Sequence, residues 1–288
     1  MHSLYDVPAP AKLNLFLHVT GRRPDGYHLL QSVFMLIDWC DTLHFELRAD
    51  GGISREDLTL PLPADDLVLR AARALQAATG CRMGAHIGVH KRIPAQAGMG
   101  GGSSDAASTL LALNRLWRLN LPRARLQAIG LALGADVPFF LCGRNAWVEG
   151  IGDIIRPLGP EHELPHTRLV VVKPEAGLDT KAIFSHPLLR RDSADATIQG
   201  FAAAPYQFGR NDLQPVAQML CPEVDQALAW LATQGLQARM TGSGSAVFAQ
   251  TAHDVDLNDA NATWQTKMCD NLRLHPLQDW VLDEEIKG

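Results

Sequence analysis

The chain has 288 residues, 47% of them hydrophobic and 20% charged, which is enough for one large or two medium globular domains. Its formal net charge is −5 and its lysines and arginines are dispersed, so nucleic acid and anionic membranes are not expected as partners and small molecules are. The five cysteines are scattered and form no C-x-x-C pair, which predicts no disulfide framework or zinc site and suits a reducing cytoplasm.

No segment has the pattern of a signal peptide or of a membrane-spanning helix, so we expect a soluble cytoplasmic protein. His162 and His166 are four residues apart, but Pro165 lies between them and no third ligand is near. No metal site is therefore predicted for the chain itself.

The first predicted element is a strand over residues 9–19. Apolar residues alternate from Leu13 to Val19, which indicates a half-buried strand whose other face carries Lys12 and Asn14. The sequence Pro-Asp-Gly that follows is typical of a turn, and it brings Tyr27 and His28 just beyond the bend.

Two further strands are predicted for SVFMLI and DTLHFEL. A helix is predicted for DDLVLRAARALQAATG, with an acidic first turn and with Gly80 just after its end. AHIGVHK alternates as the next strand.

The stretch KRIPAQAGMGGGSSDAAS joins that strand to a long apolar helix, for which Ser103 or Ser104 is the expected N-cap. It contains four glycines in five residues, which is consistent with a tight turn or with a backbone that touches a phosphate. A helix N-terminus offers unpaired N–H donors and partial positive charge, so we favour a polyphosphate site. The stretch is not a Walker A motif, because no lysine follows the glycines, and Ser103 breaks the dinucleotide fingerprint.

A second helix is predicted for PRARLQAIGLALG, ending at Gly134, so that Asp136 lies just past its end. The proline-containing segment PLGPEHELPH is the expected boundary between domains 1–160 and 161–288. The second domain is expected to open with the buried strand RLVVVKP, to contain helices around residues 213–233 and to form a strand, glycine turn and strand over ARMTGSGSAVFAQ. Strands and helices in mixed order favour an α+β fold.

Four blocks, PAKLNLFLHVTGRRPDGYH, PAQAGMGGGSSDAAS, LGADVPFFL and MTGSGSAVF, together resemble the GHMP kinase superfamily, named for galactokinase, homoserine kinase, mevalonate kinase and phosphomevalonate kinase. The first block, with its D-G-Y-H turn, is similar to the members that act on 4-diphosphocytidyl-2-C-methyl-D-erythritol. The chain departs from their glycine loop at Gln96, where a glycine is usual, and at Met99, where a leucine is usual.

The resemblance implies an N-terminal ribosomal-protein S5 domain 2-like domain and a C-terminal ferredoxin-like domain. It implies phosphorylation of the substrate's 2-hydroxyl group in the non-mevalonate isoprenoid pathway, with ATP as donor and Mg²⁺ carried with the phosphates. The residues that it assigns to the ATP site are Pro94, Ala95, Gln96, Ala97, Gly98, Met99, Gly100, Gly101, Gly102, Ser103 and Ser104.

The resemblance also assigns catalysis to Asp136, as the base for the acceptor hydroxyl, and to Lys12, paired with it. A nearby ammonium favours an ionised carboxylate and can offset phosphoryl charge. Without the resemblance, Asp136 before Val-Pro is more typical of a loop-stabilising Asx turn, and Lys12 of a solvated surface lysine.

The substrate site implied by the resemblance includes Asn14, with Tyr27 and His28 at the cytidine end. Phe184 is the second aromatic residue of that site, and Thr180 precedes it by four residues. Helical periodicity explains Thr180 and Phe184 equally well as ordinary helix positions.

Two alternatives remain from the sequence. The first is a sibling kinase for homoserine or mevalonate, and the Tyr-His turn argues against it. The second is a ligand-sensing relative without turnover, and the presence of Lys12 and Asp136 argues against it. The sequence leaves open whether the chain is a monomer or a homodimer.

Overall fold

The computed structural model describes residues 2–283, in which ten strands and eight α-helices follow one another in mixed order. The strands are β1 (Ser3–Arg22), β2 (His28–Arg48), β3 (Ile53–Asp57), β4 (Gly84–His90), β5 (Ala146–Glu149), β6 (Ile154–Pro157), β7 (Arg168–Lys173), β8 (Ala238–Met240), β9 (Val247–Thr251) and β10 (Gln265–Leu272). The helices are α1 (Leu67–Thr79), α2 (Gly101–Leu116), α3 (Arg123–Leu131), α4 (Val137–Cys142), α5 (Thr180–Ser185), α6 (Ile198–Ala202), α7 (Gln214–Leu220) and α8 (Pro222–Thr233). The α+β class predicted from the sequence is confirmed.

Strand β2 is the centre of the sheet. It pairs antiparallel with β1 along most of its length and also with β4 and β5. Strand β10 pairs with β7 and then, through Asn271 and Leu272, with β2. The strand order is therefore β3-β4-β2-β10-β7-β9-β8, so β10 links the strands of the first half of the chain to those of the second.

The prediction of two separate strands for SVFMLI and DTLHFEL is wrong, because β2 runs through both segments. The aspartates between them do not end the strand, since each is satisfied by a neighbouring backbone. The Oδ1 atom of Asp38 accepts a hydrogen bond from the N–H of Asp270 at 3.0 Å, and that of Asp41 accepts one from Ile93 at 2.8 Å. Of the two, only Asp41 is buried, and a buried carboxylate with such donors costs less than an unpaired one.

The strand predicted over residues 9–19 is confirmed as part of β1, but the prediction that it is only half-buried is wrong. Helix α2 packs on one face, where the hydroxyls of Ser104 and Ser108 donate to the carbonyls of Pro10 and Pro8. The other face contributes to a second core cluster with residues of the glycine loop and of β7 and β9. The polar residues of the strand are therefore buried as well.

Helix α1 begins and ends as predicted. The side chain of Asp66 accepts a hydrogen bond from the N–H of Leu69 at 3.1 Å, and Gly80 closes the helix in the left-handed conformation. Helix α2 differs, because Gly100 rather than Ser103 or Ser104 is its N-cap and no side chain caps it. The first turn of α2 is thus left with backbone N–H groups that have no side-chain partner at the cap.

Helix α3 is shorter than predicted, since it ends at Leu131 and a turn over residues 132–135 follows. Asp136 then occupies the N-cap position of α4, and its side chain makes no capping hydrogen bond. The alternative of a loop-stabilising Asx turn is therefore excluded for Asp136, and its carboxylate is available for other contacts.

The second half of the chain forms an antiparallel group of strands, β10-β7-β9-β8, covered by α7 and α8. The predicted buried strand RLVVVKP is confirmed as β7, and the predicted strands around the second glycine turn are β8 and β9. The described C-terminal residues return to the first half, where Leu277 and Val281 join the core beneath α2 and α3. No helix within residues 2–283 is long and apolar enough to cross a membrane.

Candidate active site

Three adjoining cavities form one cleft along the glycine loop and the ends of β1 and β2. The first, the loop pocket, has a volume of about 970 Å³ and is lined by residues 93–103 with Lys91 and Asp105. The second, the central pocket, has about 270 Å³ and contains Lys12 and Asp136. The third, the aromatic pocket, has about 540 Å³ and is lined by Tyr27, His28 and Phe184 among others.

The pockets share residues and are therefore continuous. Gly98, Gly100 and Ser243 line both the loop pocket and the central pocket, whereas Phe184 lines both the central and the aromatic pocket. Thr180 lines all three, and its hydroxyl lies 2.7 Å from that of Ser243. The hydroxyl pair joins α5 to the second glycine turn at the middle of the cleft.

The glycines of the loop are required for different reasons. A Cβ atom on Gly98 would lie 2.4 Å from the carbonyl oxygen of Thr241, and one on Gly100 would lie 2.9 Å from the ring of Phe140. Both glycines also have positive φ angles, which other residues rarely adopt. At Gly102 the nearest atom is a Leu67 methyl at 3.5 Å, so no protein neighbour demands a glycine there.

The loop is fixed to the strands on either side of it. The carbonyl of Met99 accepts a hydrogen bond from the N–H of Lys12 at 3.0 Å, and that of Gln96 accepts one from Ser245 at 3.1 Å. Gln96 has a φ angle of 51°, in the left-handed region that favours glycine. A glycine would adopt this conformation more readily, and the glutamine adopts it here.

A buried group of charges that the sequence reasoning missed closes the base of the loop. The Nζ atom of Lys91 contacts carboxylate oxygens of both Asp41 and Asp105. Asp41 also accepts hydrogen bonds from the backbone of Arg92 and Ile93. Burial raises the pKa of Asp105; Lys91 opposes that shift and Asp41 adds to it.

The three charged residues tie the chain before the loop to β2 and to the first turns of α2. Lys91 begins the stretch KRIPAQAGMGGGSSDAAS and Asp105 follows its two serines, so these opposite charges on either side of the glycines were the signal available in the sequence. Asp41 lies far away in sequence on β2, and only the fold reveals its contact with Lys91.

Lys12 and Asp136 meet in the central pocket. The Nζ atom of Lys12 is 3.7 Å from the Oδ2 atom of Asp136, with side-chain exposures of 5% and 31%. Burial lowers the pKa of Lys12, although Asp136 opposes that shift. The alternative of a solvated surface lysine is therefore excluded, and the pair has one buried cation beside a carboxylate that opens to the cleft.

Asn14 holds Lys12 in place from the same strand. Its Oδ1 atom accepts a hydrogen bond from Lys12 Nζ at 2.6 Å, its Nδ2 atom donates to the hydroxyl of Ser32 at 2.9 Å, and its N–H donates to Thr241 at 2.8 Å. The side chain is buried, yet it lines the central pocket. Thr241, in the second glycine turn, is a further contact that the sequence did not single out.

The predicted turn before Tyr27 is present and aims two rings at the aromatic pocket. The N–H of Gly26 donates to the carbonyl of Arg23 at 2.9 Å, and Tyr27 is 61% exposed. The rings of His28 and Phe184 lie 5.1 Å apart at an interplanar angle of 31°. The structure therefore brings Tyr27, His28 and Phe184 together, although they come from distant parts of the chain.

The protein groups in the cleft suit an anionic ligand at the loop pocket and a planar ligand at the aromatic pocket. The first turn of α2 supplies backbone donors, and Lys12 supplies a buried positive charge. Within residues 2–283 no group of three His, Cys, Asp or Glu side chains is arranged to hold a metal ion.

Comparisons with known proteins match two regions of the chain, of which the first contains the glycine loop and Asp136. The model of the GHMP kinases N terminal domain matches residues 66–144, and that of the GHMP kinases C terminal domain matches residues 190–269. A 4-diphosphocytidyl-2-C-methyl-D-erythritol kinase of Acidovorax sp. (strain JS42) is 75% identical over 98% of this chain and 99% of its own length. The corresponding kinase of Paracidovorax citrulli (strain AAC00-1) is 73% identical over 99% of this chain and 100% of its own length.

Solved structures agree with the sequence relatives. A crystal structure of 4-(cytidine 5'-diphospho)-2C-methyl-D-erythritol kinase is 33% identical, covers 93% of this chain and 98% of its own, and has a TM-score of 0.79. A mevalonate kinase structure has a TM-score of 0.68 at 14% identity, covers 93% of this chain and 99% of its own, and shows a common fold alone.

Proposed function

Because the chain belongs to the GHMP kinase superfamily, and within it to the 4-diphosphocytidyl-2-C-methyl-D-erythritol kinase family, we propose that it transfers the γ-phosphoryl group of ATP to the 2-hydroxyl group of 4-diphosphocytidyl-2-C-methyl-D-erythritol. The chain is thus an ATP-dependent small-molecule kinase of the non-mevalonate isoprenoid pathway. Its fold is the two-domain GHMP kinase fold expected from the sequence. The observation that carries the proposal is the continuous cleft with Lys12 and Asp136 at its centre.

ATP is assigned to the loop pocket. Backbone donors of the glycine loop and of the first turn of α2 would bind its phosphates, because Gly102 leaves that backbone uncovered. The loop pocket adjoins the central pocket at Gly98 and Gly100, so the γ-phosphate can reach Lys12 and Asp136. The acceptor enters from the other side, with its cytosine in the aromatic pocket.

Phosphoryl transfer requires alignment, neutralised phosphate charge and a group that receives the hydroxyl proton. The carboxylate of Asp136 is the base, because it makes no capping hydrogen bond and opens to the central pocket. The ammonium of Lys12 offsets charge on the transferring phosphoryl group, and Asn14 fixes its position.

Mg²⁺ is proposed as an ion that arrives with the phosphates. The hydroxyl of Ser104 is buried and already donates to Pro10, so it is not a ligand. The hydroxyl of Ser103 has no hydrogen-bond partner among residues 2–283, lines the loop pocket and faces the turn that leads to Asp136, and it fits a phosphate-bound Mg²⁺. When bound there, the ion would neutralise phosphate charge.

A coupled assay of ADP release tests the proposed function. The purified chain should release ADP rapidly with ATP and 4-diphosphocytidyl-2-C-methyl-D-erythritol, and far more slowly with homoserine or mevalonate. The Asp136→Asn variant serves as the control for contaminating kinases. Preference for homoserine or mevalonate would assign the chain to a sibling activity, and no release with any acceptor would leave a ligand-binding role.

A further inference from the structure

Arg191 connects the two rings of the aromatic pocket through one guanidinium group. Its Nε atom lies 3.0 Å from Nε2 of His28, and its NH2 nitrogen donates to the carbonyls of Phe184 at 3.0 Å and His186 at 2.9 Å. Its NH1 nitrogen donates to the carbonyl of Leu189 at 2.9 Å. All three nitrogens of the guanidinium are thus used, and His28 and Phe184 are held to the same group.

The contact between Arg191 and His28 determines where the histidine carries its proton. A guanidinium stays protonated and has donors only, so the Nε2 atom of His28 must accept the hydrogen bond. A neutral imidazole that accepts at one nitrogen carries its hydrogen on the other. His28 is therefore held as the tautomer with a hydrogen on Nδ1.

The Nδ1–H group of His28 is available to a ligand. The Nδ1 atom has no hydrogen-bond partner among residues 2–283, and it is not fully buried. The ring lines the aromatic pocket. The other charged side chains that line this pocket are Arg22, Asp25 and Lys181. Burial, and then Arg191 and Arg22, lower the pKa of His28, which favours the neutral ring that the hydrogen bond from Arg191 requires.

We propose that Arg191 is a specificity-determining positioning residue, which fixes His28 as an Nδ1–H donor toward the nucleobase of the acceptor. The proposal rests on the proposed function for the identity of that base. In cytosine the ring nitrogen N3 is an acceptor and matches this donor, whereas N3 of uracil carries a hydrogen. A site with a fixed donor leaves groups unpaired when the wrong base binds. Arg191 thereby sets the preference for cytosine over uracil without touching the substrate.

The tautomer can be measured without any turnover. In protein with ¹⁵N-labelled histidine, the two ring nitrogens of His28 should show a protonated Nδ1 and an unprotonated Nε2 in the wild type. The Arg191→Met variant should lose this fixed pattern and give mixed tautomers. The neighbouring Arg190→Met variant is the matched control, because the Arg190 side chain is 55% exposed and pairs only with Asp192 in the described chain.

The consequence for specificity is measured as kcat/KM for the cytidine acceptor divided by that for its uridine analogue. This ratio should fall by about ten-fold to a hundred-fold in Arg191→Met and stay unchanged in Arg190→Met. Arg191→Lys, which restores a cationic donor without the fork, should recover part of the ratio. If Arg191→Met does not fold, Arg191→Lys provides the test of the ratio in its place.

The outcomes separate this proposal from the proposed function. An unchanged ratio in folded Arg191 variants, or an equal loss for both acceptors, would overturn the positioning role, as would an Nε2–H tautomer in the wild type. If the wild type phosphorylates neither acceptor, the proposed function fails, while the histidine spectra still report whether Arg191 fixes the ring.

Discussion

At the scale of single residues, the proposed mechanism divides the chemistry between Asp136 and Lys12. Asp136 stands at the N-cap of α4 but keeps its carboxylate out of the cap, and its partial exposure leaves it accessible to an acceptor hydroxyl. Lys12 is enclosed, and Asn14 and the ring of Phe34 fix its ammonium from two sides. Such an arrangement holds a positive charge in a site with little water, where its effect on phosphoryl charge is large.

Replacement of Asp136 by asparagine should reduce kcat by about 10²-fold to 10⁴-fold, because the change removes the proton acceptor at nearly constant size. ATP affinity and the free energy of unfolding should stay close to those of the wild type. Turnover and calorimetric ATP titration check both statements. Asp254→Asn, which alters a surface pair with Arg168, is the control. Activity within a few-fold of the wild type would remove Asp136 from the mechanism.

The lowered pKa of Lys12 predicts an alkaline limit to activity. Burial lowers the pKa of Lys12 below its usual 10.5. The ammonium is lost as pH rises through this lowered pKa, so kcat should fall before pH 10.5. A kcat profile of the wild type and of Lys12→Arg, whose guanidinium keeps its proton, checks this. A wild-type profile that stays flat to pH 10.5 would contradict it.

At the scale of elements, the glycine loop combines packing with ligand access. Gly98 allows the loop to approach the second glycine turn, and Gly100 starts α2 in the left-handed conformation under Phe140. Gly102 has neither constraint, and we propose that access of the ATP phosphates to the backbone explains the glycine there. Structural and functional reasons for glycine thus lie within five residues of each other.

Gly102→Val should weaken ATP binding by ten-fold or more, because the branched side chain stands in front of the backbone donors, with little change in stability. Gly98→Ala should instead lower the free energy of unfolding by about 1–3 kcal/mol, since its Cβ would overlap the carbonyl of Thr241. Urea unfolding and ATP titration of both variants make the comparison. Equal loss of stability in the two variants would mean that the whole loop is structural.

The elements that the sequence predicted well are those with local signals. Asp66 and Gly80 mark the ends of α1, and Pro-Asp-Gly marks the turn before Tyr27. The errors concern tertiary contacts. β2 continues past Asp38, whose carboxylate accepts a hydrogen bond from a distant strand. The N-cap of α2 is Gly100, which packs against Phe140, and the hydroxyl of Ser104 donates to Pro10 instead of capping the helix.

The same distinction holds for the candidate site. Residues carried by a motif, such as Lys12 and Asp136, were found because the resemblance assigns them roles, and the fold brings them within 3.7 Å. Asp41 and Arg191 were missed, since neither lies in a motif and each acts through a residue far away in sequence. Periodicity cannot reveal such contacts because they depend on which strands and loops meet in space.

At the scale of the whole molecule, the described C-terminal residues fasten β10 and the strands of the second half to the first. The N–H of His275 donates to the carbonyl of Gly143 at 2.9 Å, and its Nδ1 atom accepts from Leu277 at 3.1 Å. Burial, with a smaller contribution from Arg123, lowers the pKa of His275 to about 3.

His275 should make the fold sensitive to acid. The stabilising contribution of neutral His275 is fully present above pH 6.5. Below that value the unfolded chain binds a proton that the folded chain does not. The free energy of unfolding therefore falls by up to about 1.4 kcal/mol per pH unit until the pH approaches 3. His275→Asn, which keeps an acceptor for Leu277, should flatten this part of the profile. Urea unfolding between pH 4 and 8 measures this pH dependence of the free energy of unfolding. His166→Asn is the control, because the side chain of His166 is 73% exposed. An identical slope in wild type and His275→Asn would contradict it.

We expect the aromatic pocket, remote from Lys12 and Asp136, to provide binding energy that aligns the acceptor for phosphoryl transfer. The most direct test compares kcat/KM for 4-diphosphocytidyl-2-C-methyl-D-erythritol and for 2-C-methyl-D-erythritol 4-phosphate, which lacks the cytidine, in the wild type and in Tyr27→Ala. The wild type should strongly prefer the cytidine compound. Tyr27→Ala should lose about five-fold to a hundred-fold of kcat/KM for that compound alone, with ATP affinity unchanged, because stacking on a base contributes roughly 1–3 kcal/mol. A wild type that uses both acceptors equally well would contradict the account.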